Sequence, residues 1–291
     1  MKTHQIWACA LTLAAAASVS YGAVIQFDPD GTAPGNGTLS VGSFAMVPGN
    51  SIAVGGLTNT ASFTQLYQAR VGNLLDGNGN ILTVPGLNST FELTAIVGYQ
   101  AAGTSSGNTI SASLKPGTSG TSFIDIYYNS SVKASDLNGT NFNTGTLIYS
   151  GTLTYASSVF MVDTTQAASA LDQFNTANWL GEQSVTGIGG LAVVASTGFT
   201  DPDFFKSNMT GSSISANTST ALPYKETDPS HSFVNIGGSA YTPSIGAVNG
   251  QSGPDILIQA DANAAFTLAP EPASLALLGL GALGLLARRR H

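Results

Sequence analysis

The sequence predicts an all-β fold, a β-sandwich of many short antiparallel strands with one short helix, and an apolar segment at each end of the chain. The 34 glycines and many short polar stretches separate the apolar runs, as expected where tight turns join strands. Within the runs, apolar and polar residues alternate with the two-residue period of a strand that is buried on one face. Together these patterns divide the chain into residues 1–22, a single extracellular domain over residues 23–269, and residues 270–291.

The first 22 residues have the pattern of a secretory signal peptide. Lys2 precedes an apolar run over residues 6–17, and the small residues Ser20 and Gly22 precede the expected cleavage site. We therefore expect signal peptidase to cut between Gly22 and Ala23. A membrane anchor is the alternative, although the run is shorter than the roughly 20 residues that a span requires.

Alternation places several strands in the central domain. The residues expected to share a strand face are Phe91, Leu93, Ala95, Val97 and Tyr99; Ile110, Ala112 and Leu114; Ile124, Ile126 and Tyr128; and Leu147, Tyr149, Leu153 and Tyr155. A last strand is expected from Ile256 to about Leu268. Turns are expected at residues 76–79 and 138–139, where Asp, Asn and Gly cluster.

Two segments depart from the alternation. From Asp163 to Gly181, apolar residues recur at three and four positions and Gln166 stands where a capping residue would, so the pattern predicts a helix. The polar segment from Ser207 to Ser219 has low complexity and predicts a loop.

Charge and composition exclude several classes of function. Residues 23–269 contain five basic and fifteen acidic residues, a net charge of −10, so we expect no nucleic-acid binding. The same residues contain no cysteine, and His231 is their one histidine. Disulfides, thiolate metal sites and multi-histidine metal centres are therefore excluded.

The candidate chemistry of the central domain is sparse. Residues 28–31 and 76–80 alternate oxygen ligands with glycine as calcium loops do, but no carboxylate follows at the twelfth position, so turns are favoured and Ca²⁺ stays an open alternative. We expect His231 to lie in a surface loop, and the pair Asp201 and Asp203 to lie in an extended turn around Pro202. No nucleophile elbow is present. The sequence therefore predicts no catalytic, cofactor-binding or metal-binding residue and no enzymatic activity.

Sugar binding would require aromatic side chains that are exposed to solvent. The aromatic residues most expected at the surface are Trp179, Tyr127, Tyr128, Tyr224 and Tyr241, whereas phenylalanines are expected in the core.

The last 22 residues carry the most specific pattern in the chain. Pro270, Glu271 and Pro272 precede an uncharged apolar stretch over residues 273–287, which is followed by Arg288, Arg289 and Arg290. At the helical rise, fifteen residues span about 22 Å, less than the hydrocarbon core of about 30 Å. We therefore expect a transmembrane helix that anchors the chain temporarily, with a tail-anchored protein as the alternative.

This triplet, helix and arginine cluster resemble the PEP-CTERM sorting signal. The resemblance implies a Gram-negative bacterium, transient insertion into its inner membrane, recognition by exosortase at Pro270, Glu271 and Pro272, and delivery to the cell surface or the exopolysaccharide matrix. Five further blocks are similar to the flocculation-associated PEP-CTERM family: residues 27–32, 48–56, 91–94, 201–205 and 259–263. That similarity implies a role in holding cells together in flocs.

The sequence thus predicts an exported, non-enzymatic matrix protein that promotes cell aggregation through exopolysaccharide or through copies of itself. A carbohydrate-binding module for one particular glycan is the main alternative, and a secreted hydrolase is the weaker one.

Overall fold

A computed structural model of the 291-residue chain describes residues 23–32, 37–163, 165, 167–170, 183–218 and 231–269. The predicted signal peptide and the predicted transmembrane helix lie outside the described residues. Within the described ranges, no helix has the length and apolarity needed to cross a membrane.

The described residues form strands and one short 3₁₀ turn at Ser119–Thr121. The strands are β1 Ile25–Phe27, β2 Leu39–Val41, β3 Ser43–Met46, β4 Gly49–Val54, β5 Phe63–Leu75, β6 Glu92–Ser106, β7 Thr109–Leu114, β8 Phe123–Asn129, β9 Thr146–Asp163, β10 Ser169–Ala170, β11 Gln183–Ser184, β12 Thr186–Thr200, β13 Met209–Thr218, β14 Phe233–Val234, β15 Ala240–Tyr241, β16 Val248–Asn249 and β17 Ile256–Leu268.

Ten of these strands form one antiparallel sheet that closes on itself. Strands β3 and β4 share one position beside β5, and β7 and β8 share one position between β6 and β9. The sheet therefore has eight strand positions, and neighbours in sequence are neighbours in space. Closure comes from β17, which pairs with β4 through Leu257 and Ile52 and with β3 through Ala264 and Phe44.

The alternating residues of the sequence face the inside of this closed sheet. Leu93, Ala95, Val97 and Tyr99 on β6 are buried in the main core. Ile124 and Ile126 on β8 join them. A closed sheet of eight strands has an interior that side chains alone can fill, so every strand needs only one apolar face.

An aromatic cluster occupies one end of the interior. Phe27 lies 4.9 Å from both Phe44 and Phe205 between ring centroids, and Phe266 lies 5.0 Å from Phe44 and 5.6 Å from Phe205. Aromatic pairs at such separations contribute about 0.5–1.5 kcal/mol each beyond the area that they bury. The hairpin of β1 and β2 and the turn at residues 201–207 supply two sides of this cluster.

Two segments cover part of the outer face. Residues 231–255 pack Phe233 and Ile245 against Ile52, Leu66 and Leu257 of β4, β5 and β17. Residues 130–145 form a second cover, in which Ala134 and Phe142 contact Ile96 of β6. Glu92 fixes this second segment by accepting hydrogen bonds from the backbone nitrogens of Lys133 and Ala134, each at 2.8 Å.

The two covering segments meet at a buried polar junction on β5. Gln68 Nε2 donates to the carbonyl oxygens of Gly139 and Ser232, both at 2.7 Å, and Gln68 Oε1 accepts from the Val234 nitrogen at 3.1 Å. These partners fix the amide orientation and use both protons of Gln68 Nε2, which lies 3.0 Å from His231 Nε2. Burial lowers the pKa of His231 to about 4, so the imidazole is neutral in the folded protein at pH 7.

The all-β class and the antiparallel pairing are confirmed, but two features of the prediction are wrong. The sheet is continuous around the ring instead of divided into two layers, because β5 pairs with β6 and β9 pairs with both β8 and β12. Several strands are also long, and β9 has 18 residues. A closed sheet requires long, tilted strands, since each strand contacts neighbours along its whole length.

The predicted helix and the predicted loop also need correction. Asp163 ends β9, and Ser169–Ala170 is a strand that pairs with Gln183–Ser184, so no helix begins at Asp163; residues 171–181 lie outside the described residues. Most of the predicted loop is strand β13, in which Ser212, Ile214 and Ala216 are buried. Its small polar residues fit a strand whose neighbours β12 and β17 supply the hydrogen bonds.

Acidification below pH 6.5 should weaken the folded state through His231. This side chain is 1% exposed, and burial lowers its pKa from 6.5 to about 4, so between these values the unfolded chain binds more protons. We expect a loss on the order of 3 kcal/mol in the free energy of unfolding as the pH falls through that window. Urea unfolding at pH 7 and at pH 4.5 measures this loss in the free energy of unfolding.

His231→Gln is the control for this pH dependence, because glutamine cannot take up the proton. The variant should lose less stability than the wild-type protein over the same interval. An equal loss in both proteins would contradict the assignment.

Candidate functional site

The predicted processing residues fall largely outside the described part of the chain. Gly22 and the sorting residues Pro270, Glu271, Pro272, Arg288, Arg289 and Arg290 are not among the described residues. Ala23 is described, and its nitrogen donates to the Phe266 oxygen at 3.1 Å. The chain that would follow signal-peptide cleavage thus begins beside the last strand of the sheet.

The acidic turn at residues 76–80 satisfies its carboxylate internally. Asp76 Oδ1 accepts from the backbone nitrogens of Asn78 and Asn80 at 2.8 Å each, and Oδ2 accepts from Asn80 Nδ2 at 3.0 Å. These hydrogen bonds lower the pKa of Asp76. This is the geometry of an Asx turn. Both carboxylate oxygens of Asp76 accept hydrogen bonds from the turn itself.

The other acidic candidates lie in two adjoining turns, at residues 28–31 and 201–203, where the Asp28 nitrogen donates to the Phe204 oxygen at 2.8 Å. Asp28 is buried, which raises its pKa, and the neighbouring Asp30 raises it further. Asp201 Oδ1 accepts from the Asp203 nitrogen at 2.9 Å within a turn. Among the described residues, no group of three or more His, Cys, Asp or Glu residues is placed to hold a metal ion.

The expectation that His231 lies in a surface loop is wrong. Its ring is buried between Asn50 and Gln68, with Phe233 at 4.9 Å between ring centroids. The sequence showed a polar segment around it but not that the segment folds back onto the sheet.

The expected surface aromatics are mostly engaged in packing. Tyr128 lies 5.0 Å from Phe204 between ring centroids, and the Tyr241 hydroxyl donates to Asp255 at 2.5 Å. Tyr127 is half-buried. Trp179 and Tyr224 lie outside the described residues.

The part of the sheet that the two covering segments leave bare is the candidate functional site. We call it the open face, and it consists of outward side chains on β7, β9, β12 and β13, which are exposed or half-buried. They include Ser111, Ser113, Ser150, Thr152, Tyr155, Ser157, Val159, Met161, Ile188, Ala192, Val194, Ser196, Phe199, Ser213 and Ser215. These side chains are uncharged, and most carry a hydroxyl group.

Two aromatic side chains project from this surface. Tyr155 on β9 is 53% exposed and pairs with Val194 on β12, which is 42% exposed. Phe199 on β12 is 44% exposed and pairs with Ser150. Large aromatic side chains usually bury most of their surface in a folded domain, so two on one open surface make it the candidate binding surface.

A β-bulge decides that Tyr155 points outward. Val194 pairs with Tyr155 but Ala195 pairs with Leu153, so Thr154 is an extra residue in β9. One extra residue reverses the alternation beyond it. Leu153 is consequently buried and Tyr155 exposed, although the sequence placed both on one face.

Asp125 lies at the edge of the open face. It pairs with Ser150 on β9, which in turn pairs with Phe199, so the three residues form a row across adjacent strands. Burial raises the pKa of Asp125, while the hydroxyls of Ser150 and Tyr127 lower it in part. Asp125 Oδ1 is buried and has no hydrogen-bond partner within the described ranges, and no described lysine or arginine pairs with this carboxylate.

The sequence analysis missed Asp125, Ser150, Tyr155 and Phe199 as site residues. Phe199 was expected in the core with the other phenylalanines, and Tyr155 was placed on the same strand face as Leu153. An apolar residue within the polar run from Ser196 to Thr200 was the one available signal.

Comparison with known proteins identifies the end of the chain. Residues 268–290 match the family model of the PEP-CTERM protein-sorting motif. No curated protein and no solved structure matches this chain. The motif marks a secreted protein that is directed to exosortase.

Replacing Asp125 with asparagine should stabilise the protein at pH 7. Since burial places its folded-state pKa above the ordinary 3.8, the charged form is disfavoured in the folded protein. We expect Asp125→Asn to raise the free energy of unfolding by about 1 kcal/mol at pH 7, with the gain shrinking as the pH approaches 3.8. Urea unfolding at pH 7 and pH 4 tests this.

Asp261→Asn is the matched control, because Asp261 is an exposed carboxylate on β17. A surface change of this kind should alter the free energy of unfolding by no more than about 0.5 kcal/mol. If Asp125→Asn destabilised the protein, the carboxylate would have a structural role that we have not assigned to it.

Proposed function

We propose that this PEP-CTERM protein, whose sorting motif spans residues 268–290, is a non-enzymatic component of the extracellular matrix that promotes cell aggregation together with exopolysaccharide. The motif itself implies export, exosortase as the processing partner and a cell-surface or extracellular location. Signal peptidase and a transient stay in the inner membrane of a Gram-negative cell belong to the proposal.

The sorting motif is the single observation that carries this proposal. Exosortase processing would release the acidic domain into a space filled with polymer. The closed sheet suits that place, because a sheet without free edges does not recruit strands from other chains. Stability there rests on core burial alone, since residues 23–269 contain no cysteine.

The buried position of His231 supports a non-enzymatic role. It is the one histidine of residues 23–269, and its ring nitrogens face Asn50 and Gln68 inside the structure. A general base must reach the proton that it removes from a substrate.

The open face supports the second candidate, a carbohydrate-binding module. Tyr155 and Phe199 offer exposed rings, and serine and threonine hydroxyls surround them. The two candidates differ in whether one glycan is bound selectively.

Ca²⁺ would act as a bridging ion between the acidic surfaces of separate molecules and not as an ion bound within one molecule. Asp30, Asp203 and Asp261 lie at or near the surface, and copies with a net charge of −10 repel each other.

Removing the gene should abolish clumping of the producing cells. The full chain should restore settling of the culture, whereas a chain that ends at Ala269 should not, because it lacks the sorting motif and would not be processed by exosortase. Settling rate and the amount of protein outside the cells are measured together. A deletion strain that still settles like its parent would contradict the role in aggregation and leave the sorting assignment intact.

Chelation tests the bridging ion separately. EDTA should disperse the clumps and added Ca²⁺ should re-form them, while NaCl at equal ionic strength should restore them less, since it screens charges without linking them. Clumps unchanged by EDTA would exclude the bridging ion.

A further inference from the structure

We infer that the open face binds an extended neutral polysaccharide, with Phe199 and Tyr155 stacking on sugar rings and Asp125 accepting hydrogen bonds from sugar hydroxyls. This inference rests on the proposed function, whose matrix polymer it assigns to a chemical class and a surface.

The side chains of the open face match the two kinds of surface that a sugar presents. A sugar ring has an apolar face of C–H groups and a rim of hydroxyls. The exposed rings of Tyr155 and Phe199 offer apolar surface that neither of the two described covering segments reaches. Between them, Thr152 and Ser196 pair across β9 and β12 and supply hydroxyl groups.

The distance between the two aromatic residues calls for an oligomer instead of a single sugar. Phe199 is level with Ser150, and Tyr155 lies five residues further along β9, with one residue taken up by the bulge. At about 3.3 Å per residue, the two rings are separated by about 13–16 Å along the strand. A ligand that contacts both rings must therefore be a chain of several sugars.

Charge selects a neutral polymer over an acidic one. The protein has a net charge of −10 over residues 23–269, and no described basic side chain lies on the open face to attract an anionic sugar. The carboxylate of Asp125 at the edge of the face repels anions further. A neutral chain meets none of this repulsion and finds hydroxyl partners along the strands.

The environment of the Asp125 carboxylate fits a ligand-binding role better than a structural role. Its carboxylate has no cationic partner among the described residues, and Asp125 pairs with the buried Ile96 on β6, where burial disfavours its charge and only the Ser150 and Tyr127 hydroxyls offset this. Groups that lower the free energy of unfolding and have no compensating structural role are concentrated at functional sites. Both oxygens of a carboxylate accept hydrogen bonds, whereas asparagine replaces one of them with an NH2 group that only donates.

The test uses the protein secreted by its own cells and the exopolysaccharide of the same cells, separated by anion exchange into neutral and acidic fractions. Binding isotherms are measured for the wild-type protein, Phe199→Ala, Tyr155→Ala and Asp125→Asn. We expect saturable binding of the neutral fraction alone, weakened about tenfold by each aromatic change and severalfold by Asp125→Asn. Ile81→Ala, which removes an apolar side chain that is 67% exposed elsewhere, should bind like the wild type.

The stability of the same variants separates binding from folding. Asp125→Asn should unfold at higher urea than the wild-type protein and yet bind less well, a combination that a structural defect cannot produce. Binding of the acidic fraction alone, no binding of the neutral fraction, or equal binding by all variants would each overturn the inference. Self-association that depends on Tyr155 in the absence of glycan would overturn it in favour of a second copy as the occupant. None of these outcomes decides whether the gene is required for clumping, so the proposed function is tested independently.

Discussion

Pairing of β17 with β3 and β4 is the constraint on which the rest of this structure depends. Through Leu257 and Ile52, and through Ala264 and Phe44, the last strand meets the first position of the sheet and closes the ring. Closure gives the chain one enclosed interior for its apolar residues and removes the free edges of the main sheet. A secreted domain without cysteine therefore obtains a full core from alternating strands alone.

Closure also produces two unlike outer surfaces. Where residues 130–145 and 231–255 fold back, outward residues such as Ile52, Leu66 and Ile96 are buried and the outer face becomes a second layer of core. On the strands opposite, the outward side chains are mostly serine and threonine, with Tyr155, Val194 and Phe199 exposed among them. The covered side is a second layer of core, and the open face is in contact with solvent.

Much of the fold was readable from the sequence, while the candidate site was not. Strand β17 was expected from Ile256 to Leu268, and the inward residues of β6 and β8 were assigned correctly. Tyr155 was misplaced because the bulge at Thr154 changes its face, and a single extra residue leaves almost no trace in an alternation pattern. Asp125 becomes a candidate site residue only because it lies in one row with Ser150 on β9 and Phe199 on β12, which are distant in sequence.

The sequence by itself determined the all-β class, the inward face of most strands and the sorting motif at residues 268–290, because each is encoded by local order: a two-residue period or a contiguous signal. Tertiary structure decided that the sheet closes, that His231 is buried, and that Phe199, Tyr155 and Asp125 share one surface. These features depend on pairing between strands separated by up to about two hundred residues, and no local pattern records which strand will be the neighbour.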